Sequence, residues 1–138
     1  MKKKTIAIVG ALDTKSQEYA FLKEEIEKRG HATFVINVGV LGQPPFPPEV
    51  TAQEVALAGG AELADLIEKK DRGEAMEIMT RGAAIVSKTY FEAGKFSGMI
   101  SMGGGGGTVT GTSAMRVLPV GVPKLMMSTV ASGDTSAY

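Results

Sequence analysis

Met99-Ile100-Ser101-Met102-Gly103-Gly104-Gly105-Gly106-Gly107-Thr108-Val109-Thr110-Gly111-Thr112-Ser113 carries an apolar strand, a run of five glycines and the start of a helix in direct succession. A short apolar run that breaks on glycine and resumes with helical spacing is the strand-turn-helix junction of an α/β sheet. The same junction opens the chain, where Thr5 to Val9 is a β-branched apolar run closed by Gly10. Neither run alternates with polar residues, so each reads as a strand buried on both faces of a parallel sheet. Ala32 to Val38 and Lys124 to Thr129 read as two further strands.

Helices fill the intervals. Tyr19, Leu22 and Ile26 repeat at helical spacing after a Thr14/Gln17 capping box and stop at Gly30. Beyond the proline-rich loop Pro44 to Pro48, Thr51/Glu54 caps a short pair of helices interrupted at Gly59-Gly60. Asp71/Glu74 caps a longer one in which Met76, Met79, Ala83, Val86 and Tyr90 share a face as far as Gly94, and Thr108 to Leu118 forms the last. The order β-α-β-ααα-β-α-β, with right-handed crossovers, predicts a doubly wound, three-layer α/β/α sheet of Rossmann-like or flavodoxin-like type. Its expected strand order is 2-1-3-4. That order reverses the winding between strands one and three, and the crevice at their carboxyl ends is where such sheets bind ligands.

Composition narrows the function. The 138 residues hold 15 Lys+Arg against 15 Asp+Glu, one His and no Cys, so residues 1–138 suit a single globular domain. The only basic run, Lys2 to Lys4, gives no footprint for direct nucleic-acid binding. Absent cysteines exclude disulfides, thiol nucleophiles and Cys-ligated metal. No apolar run nears the ~20 residues that span a bilayer, and the apolar start is too short for an export signal, so no membrane association and a cytoplasmic location are expected. From Ser97 to Tyr138 only Arg116, Lys124 and Asp134 are charged. Such a stretch needs cover, and no covering helix follows the last strand. The sequence therefore predicts the amino-terminal fragment of a longer protein, self-associating through its uncovered edge.

Five glycines entering a helix suit phosphate or another anion, because close backbone approach and the positive helix end act together. The alternative is a loop whose glycines supply positive φ. Thr108, Thr110, Thr112 and Ser113 are candidate hydroxyl donors and Lys15 the best-placed cation. Asp13 is a candidate for a ribose hydroxyl or a metal-bound water, against an ordinary helix-start role for Asp13-Thr14-Lys15. Ser128, Thr129, Ser132, Gly133 and Asp134 extend the cradle, and Asp13 with Asp134 could meet on a phosphate-borne Mg²⁺; no dedicated protein metal site is expected. A Walker A loop is excluded by Thr112 at the lysine position, the G-x-G-x-x-G fingerprint by the missing third glycine, and a Ser-His-Asp triad by the placement of His31.

Gly10-Ala11-Leu12-Asp13-Thr14-Lys15, Asn37-Val38-Gly39-Val40-Leu41-Gly42, Asp71-Arg72-Gly73 with Gly82-Ala83, Gly103 to Thr108, and Ser128 to Asp134 together resemble one family. It is the ATP-binding family named for a plant tobamovirus-resistance protein. The resemblance spans the chain and implies a Rossmann-like amino-terminal domain that binds ATP through the Gly10 loop and the glycine loop. It carries a binding role onto Gly10, Leu12, Asp13, Thr14, Lys15, Asn37 and Gly39, onto Gly103, Gly104, Gly105, Gly106, Gly107 and Thr108, and onto Ser128, Thr129, Ser132, Gly133 and Asp134. An acidic residue is expected where this chain has Asn37. No reaction is implied, since the plant member acts by binding a viral replication protein. Two other readings stand beside nucleotide binding: an enzyme acting on a small phosphorylated metabolite, and a protein-binding or assembly module.

Overall fold

A computed structural model describes residues 2–138. Its elements follow the expected order: β1 Thr5–Gly10, α1 Ser16–Lys28, β2 Ala32–Asn37, α2 Ala52–Gly59, α3 Leu63–Lys69, α4 Arg72–Glu92, β3 Gly98–Gly103, α5 Gly105–Arg116 and β4 Lys124–Ser128. The four strands are all parallel, in the order β2-β1-β3-β4, with helices on both faces. Among the described residues no helix is long and apolar enough to cross a membrane.

Both faces of β1 and β2 are buried, which is why their sequences are continuously apolar. Ala7, Val9 and Ile36 meet Val55, Met79, Ala83 and Ala114 on the face covered by α2, α4 and α5. Ile8 and Val35 meet Leu12 and Tyr19 on the face covered by α1. Glycine lets two helices touch: a Cβ on Gly82 would stand 1.9 Å from the Val55 carbonyl oxygen, and one on Gly59 would stand 2.2 Å from that of Ile78.

Two of the three capping boxes form their backbone half, since Thr51 Oγ1 accepts from Glu54 N and Asp71 Oδ1 from Glu74 N. The Thr14/Gln17 box does not form. Helix α1 starts one residue later than that spacing suggests, with Lys15 as N-cap and no side-chain cap. The competing hydrogen bond is local: Asp13 Oδ1 accepts from Thr14 N at 2.7 Å.

Candidate functional site at the sheet's switch point

β1 pairs with β3 only as far as Val9 beside Ser101, whereas β1 stays with β2 to Gly10 and β3 with β4 to Gly103. The sheet therefore splits at its carboxyl edge, between β1 and β3. Tyr19, reaching up from α1, fills the base of the split. Its hydroxyl lies 2.5 Å from Met102 O and 3.2 Å from Val9 O and accepts from Met102 N at 3.0 Å. Ser101 Oγ donates to the same Val9 carbonyl at 2.7 Å. These side-chain bonds replace the ladder where the strands part, and burial raises the phenol's pKa. Gly10 is required here, because a Cβ would stand 2.1 Å from the Tyr19 ring.

Above the tyrosine sits a pit of about 90 Å³, lined by Gly10, Ala11, Thr14, Lys15, Gly103, Gly104 and Gly107 among others. It opens into a groove of about 640 Å³. Thr14, Val38, Gly107 and Thr110 line both. The groove's lining is mostly aliphatic, Val40, Leu41, Leu66, Ile67, Met76 and Met79 standing beside the charged Asp13, Lys70, Asp71 and Arg72.

The five glycines do not form a loop, contrary to the sequence-based reading. Gly103 ends β3, Gly104 is the N-cap of α5, and Gly105 to Gly107 are its first turn. None of the five has positive φ. Gly103 serves close packing instead, since a Cβ there would stand 2.7 Å from Gly107 Cα. Thr108 N bonds Gly104 O, leaving the N–H groups of Gly105, Gly106 and Gly107 without hydrogen-bond partners among the described residues. These are the orphan donors of a helix start, and no side chain caps them. Gly106 lines the groove and Gly107 lines both cavities, whereas Gly105 lines neither.

Several residues singled out in the sequence turn out to hold the crevice together. Asn37 is 6% exposed, and its Oδ1 accepts from Leu12 N and Gly39 N at 3.2 and 2.9 Å. It ties the β1–α1 loop to the end of β2 and lines neither cavity. Leu12 is core, packed with Ile8, Tyr19 and Val35. Asp13 lines the groove, yet both its oxygens are engaged, Oδ1 by Thr14 N and Oδ2 by Leu41 N at 3.1 Å. Gly39 lets this clasp close, since a Cβ would stand 2.5 Å from Asp13 Oδ1.

Of the expected hydroxyl donors only Thr110 lines the cavities, and it pairs with Thr80 Oγ1 at 2.8 Å. Thr108 Oγ1 turns to Gly104 O and Ser128 Oγ. Thr112 bonds back to Thr108 O, and Ser113 accepts from Arg116. Thr129 N bonds Gly103 O beside the α5 start. Ser132, Gly133 and Asp134 are exposed and line neither cavity. Asp134 accepts from Ser136 N at 2.9 Å, a bond that lowers its pKa, and does not share a cavity with Asp13. Lys15 lines the pit, with no ion-pair or hydrogen-bond partner for its ammonium among the described residues.

The sequence reading gave no site role to Tyr19 and Ser101, which bridge β1 and β3 at the split. A tyrosine on the inward stripe of a helix has to find a partner for its hydroxyl, and that was the available signal. It also gave no role to Lys70, nor to Arg72 beyond its place in the Asp71-Arg72-Gly73 motif, and both line the groove.

Comparison with known proteins assigns this arrangement to a family. Residues 4–138 match the N-terminal domain of the Uncharacterised protein family (UPF0261). A UPF0261 protein of Clostridium tetani is 51% identical over 135 residues, covering 98% of this chain and 33% of the relative. A UPF0261 protein of Brucella suis is 36% identical over 126 residues, 91% of this chain and 30% of the relative. A tomato protein named ToMV susceptible protein tm-1(GCR26) is 30% identical over 154 aligned residues, 94% of this chain and 19% of its own length. The chain thus spans about a third of the length of the bacterial relatives it matches. A match running from residue 4 to the last residue, through both halves of the crevice, makes this chain a member of the UPF0261 family, corresponding to its N-terminal domain.

Proposed function

We propose that the crevice binds a nucleotide, with its phosphate at the first turn of α5 and its base in the aliphatic groove. The observation that carries this is that the first turn of α5, bare of side chains and with unpartnered N–H groups, reaches the pit and groove through Gly107, and that Lys15, whose ammonium has no partner among the described residues, lines the same pit as Gly107. A helix N-terminus attracts an anion through its dipole and donors together, and glycine admits the phosphate oxygens to hydrogen-bond distance. The pit is too small for a nucleotide, but the groove it opens into has the size and apolar lining of a base site. ATP is the nucleotide that the family resemblance puts first. Magnesium, where it takes part, arrives on the phosphates, since this ion keeps most of its waters and is held through substrate phosphates.

Calorimetric titration with ATP and with inorganic phosphate tests this in the protein and in Gly107→Ala. A Cβ at residue 107 meets nothing closer than Met102 O at 3.5 Å, an ordinary contact, so the variant folds. The methyl group stands where pit and groove join and lowers nucleotide affinity at least about tenfold, roughly 1.4 kcal/mol. Unchanged affinity in the folded variant would remove the site from α5.

A second reading has its own observation. Leu125 and Met127, 55% and 59% exposed, lie beside Ile100 and Met102 at the β4 end of the sheet face that α1 covers only in part. That face suits association with a second copy of the chain.

A further inference from the structure

We propose that α3 is a lid on the groove, hinged at Gly60 and Lys70, that closes over the groove's occupant. The inference rests on the nucleotide reading above for the identity of that occupant. The lid itself follows from how unequally the helices beside the groove are held.

Helices α2 and α4 form one frame. Gly59 and Gly82 bring their backbones so close that neither position has room for a Cβ. Arg81 Nη1 donates to Gly59 O at 2.9 Å, holding the carboxyl end of α2, and the Tyr90 hydroxyl donates to Glu54 at 2.6 Å across the same pair. Both helices also have capped starts, at Thr51 and Asp71.

Between them α3 is held by little. It has seven residues, well short of the ~12–15 at which an isolated helix becomes even marginally stable in water. Its N-cap, Glu62, makes no side-chain hydrogen bond, and Leu66 is its one buried residue. Among the described residues the only side-chain hydrogen bond or ion pair from α3 to another element is Lys69 to Glu74, at 3.2 Å. That pair stands in water, where such contacts hold weakly. A segment with so few buried apolar contacts opens at low free energy.

Both ends of α3 are jointed. Gly60 has φ 99 and Lys70 has φ 56, and Lys70 is the one non-glycine residue with positive φ among the described residues. A lysine in the left-handed region carries strain that glycine avoids, and residues so held gather at clamps and switch regions. A few element-terminal residues that absorb a backbone rotation are what a hinge consists of. The groove supplies the reason to close. Leu66 and Ile67 line it from α3, Met76 from the frame, and Leu41 from a loop that Asp13 clasps. Leu41, Ile67 and Met76 are 57%, 42% and 42% exposed. A ligand lying among them gains apolar contact when α3 swings over it, and that difference in contact between open and closed states is what shifts the lid.

Hydrogen exchange read by mass spectrometry, on the protein alone and with saturating ATP, tests this. In the free protein the α3 amides are expected to exchange at least about tenfold faster than those of α2 and α4. ATP should slow α3 by about tenfold and leave α2 and α4 nearly unchanged. A tether separates closure from simple cover by the ligand. The chain has no cysteine, so Lys69→Cys with Glu74→Cys, bridged by a bismaleimide, locks α3 across the Lys70 hinge in its open position. ATP is expected to leave the bridged protein at least about tenfold faster than the same variant unbridged. Amides of α3 that exchange as slowly as those of α4 in the free protein, or ATP release that the bridge leaves unchanged, would overturn the lid while leaving nucleotide binding intact. Failure of ATP to bind would sink the nucleotide reading instead, and the free-protein exchange then decides the lid alone.

Discussion

The two faces of the sheet are covered to very different depths. On one, α2, α4 and α5 bury Ala7, Val9, Ile36 and Met99 under a continuous core. On the other, α1 alone covers Ile8 and Val35, leaving Ile100 and Met102 half-buried and Leu125 and Met127 exposed. The crevice lies where these regimes meet, with α5 rising from the first face and Tyr19 from the second. The first face therefore secures the fold, and the thin face holds the switch point together.

The sharpest test of that division is Gly82→Val. The backbone of α2 lies directly in the path of the new side chain, with the Val55 carbonyl oxygen 1.9 Å and its carbon 2.9 Å from a Cβ. Nothing flexible is there to yield, so α4 has to move off α2 and open the larger core. Overpacking of this kind costs about 3 kcal/mol or more, read as a lower urea midpoint. A variant as stable as the parent would show that the helix layer is loosely packed.

On the thin face the largest single effect is expected from Tyr19→Phe. The ring remains, but Met102 N and the Met102 carbonyl lose their partner at the split, while Val9 O keeps Ser101 Oγ; the loss is worth about 1–3 kcal/mol. A pH signature accompanies it. Burial raises the Tyr19 pKa, so the folded protein favours the neutral phenol. The stability this confers is complete below the unfolded value near pH 10 and is lost as pH rises through the higher folded value. Tyr90 adds a second alkaline contribution, its pKa raised by its hydrogen bond to Glu54. Tyr19→Phe should flatten the alkaline limb of a stability-against-pH curve, and an unchanged limb would place the strand-splitting role elsewhere.

How much of this was legible follows the same division. Strand order and helix number were readable because the first face is built from local signals: apolar runs closed by glycine, and capping pairs such as Asp71/Glu74 that form as spaced. The glycine run misled because its composition resembles that of a loop. What decides its conformation is the packing of Gly103 against Gly107, and tertiary proximity leaves no local pattern. Asn37 and Asp13 looked like ligand residues, being polar and at the carboxyl edge. Each accepts from a near neighbour, Gly39 N or Thr14 N, and from a backbone N–H of another loop, Leu12 N at a separation of 25 residues and Leu41 N at 28, and those distant partners leave no local pattern. The position of the crevice could thus be read from topology, but the roles of its residues could not.

The smallest effect on stability and the largest on behaviour belong to Leu125→Lys combined with Met127→Lys. Both side chains already face water on the outermost strand, so replacing them leaves the unfolding free energy within about 0.5 kcal/mol. Met126, which alternates with them, packs against the first-face core and is untouched. What changes is the surface. Beside Ile100 and Met102 the two residues make an apolar strip on an unpaired sheet edge, and between Ser97 and Tyr138 only Arg116, Lys124 and Asp134 carry charge to oppose contact. A second copy brought against this strip covers in one step the half of the face that α1 leaves open. Light scattering at micromolar concentration should therefore give a dimer for the parent chain and a monomer for the double lysine variant, since charges on an edge strand repel a like edge. A monomeric parent would mean that the strip does not drive association, and a variant that still dimerises would move the interface to another part of the surface.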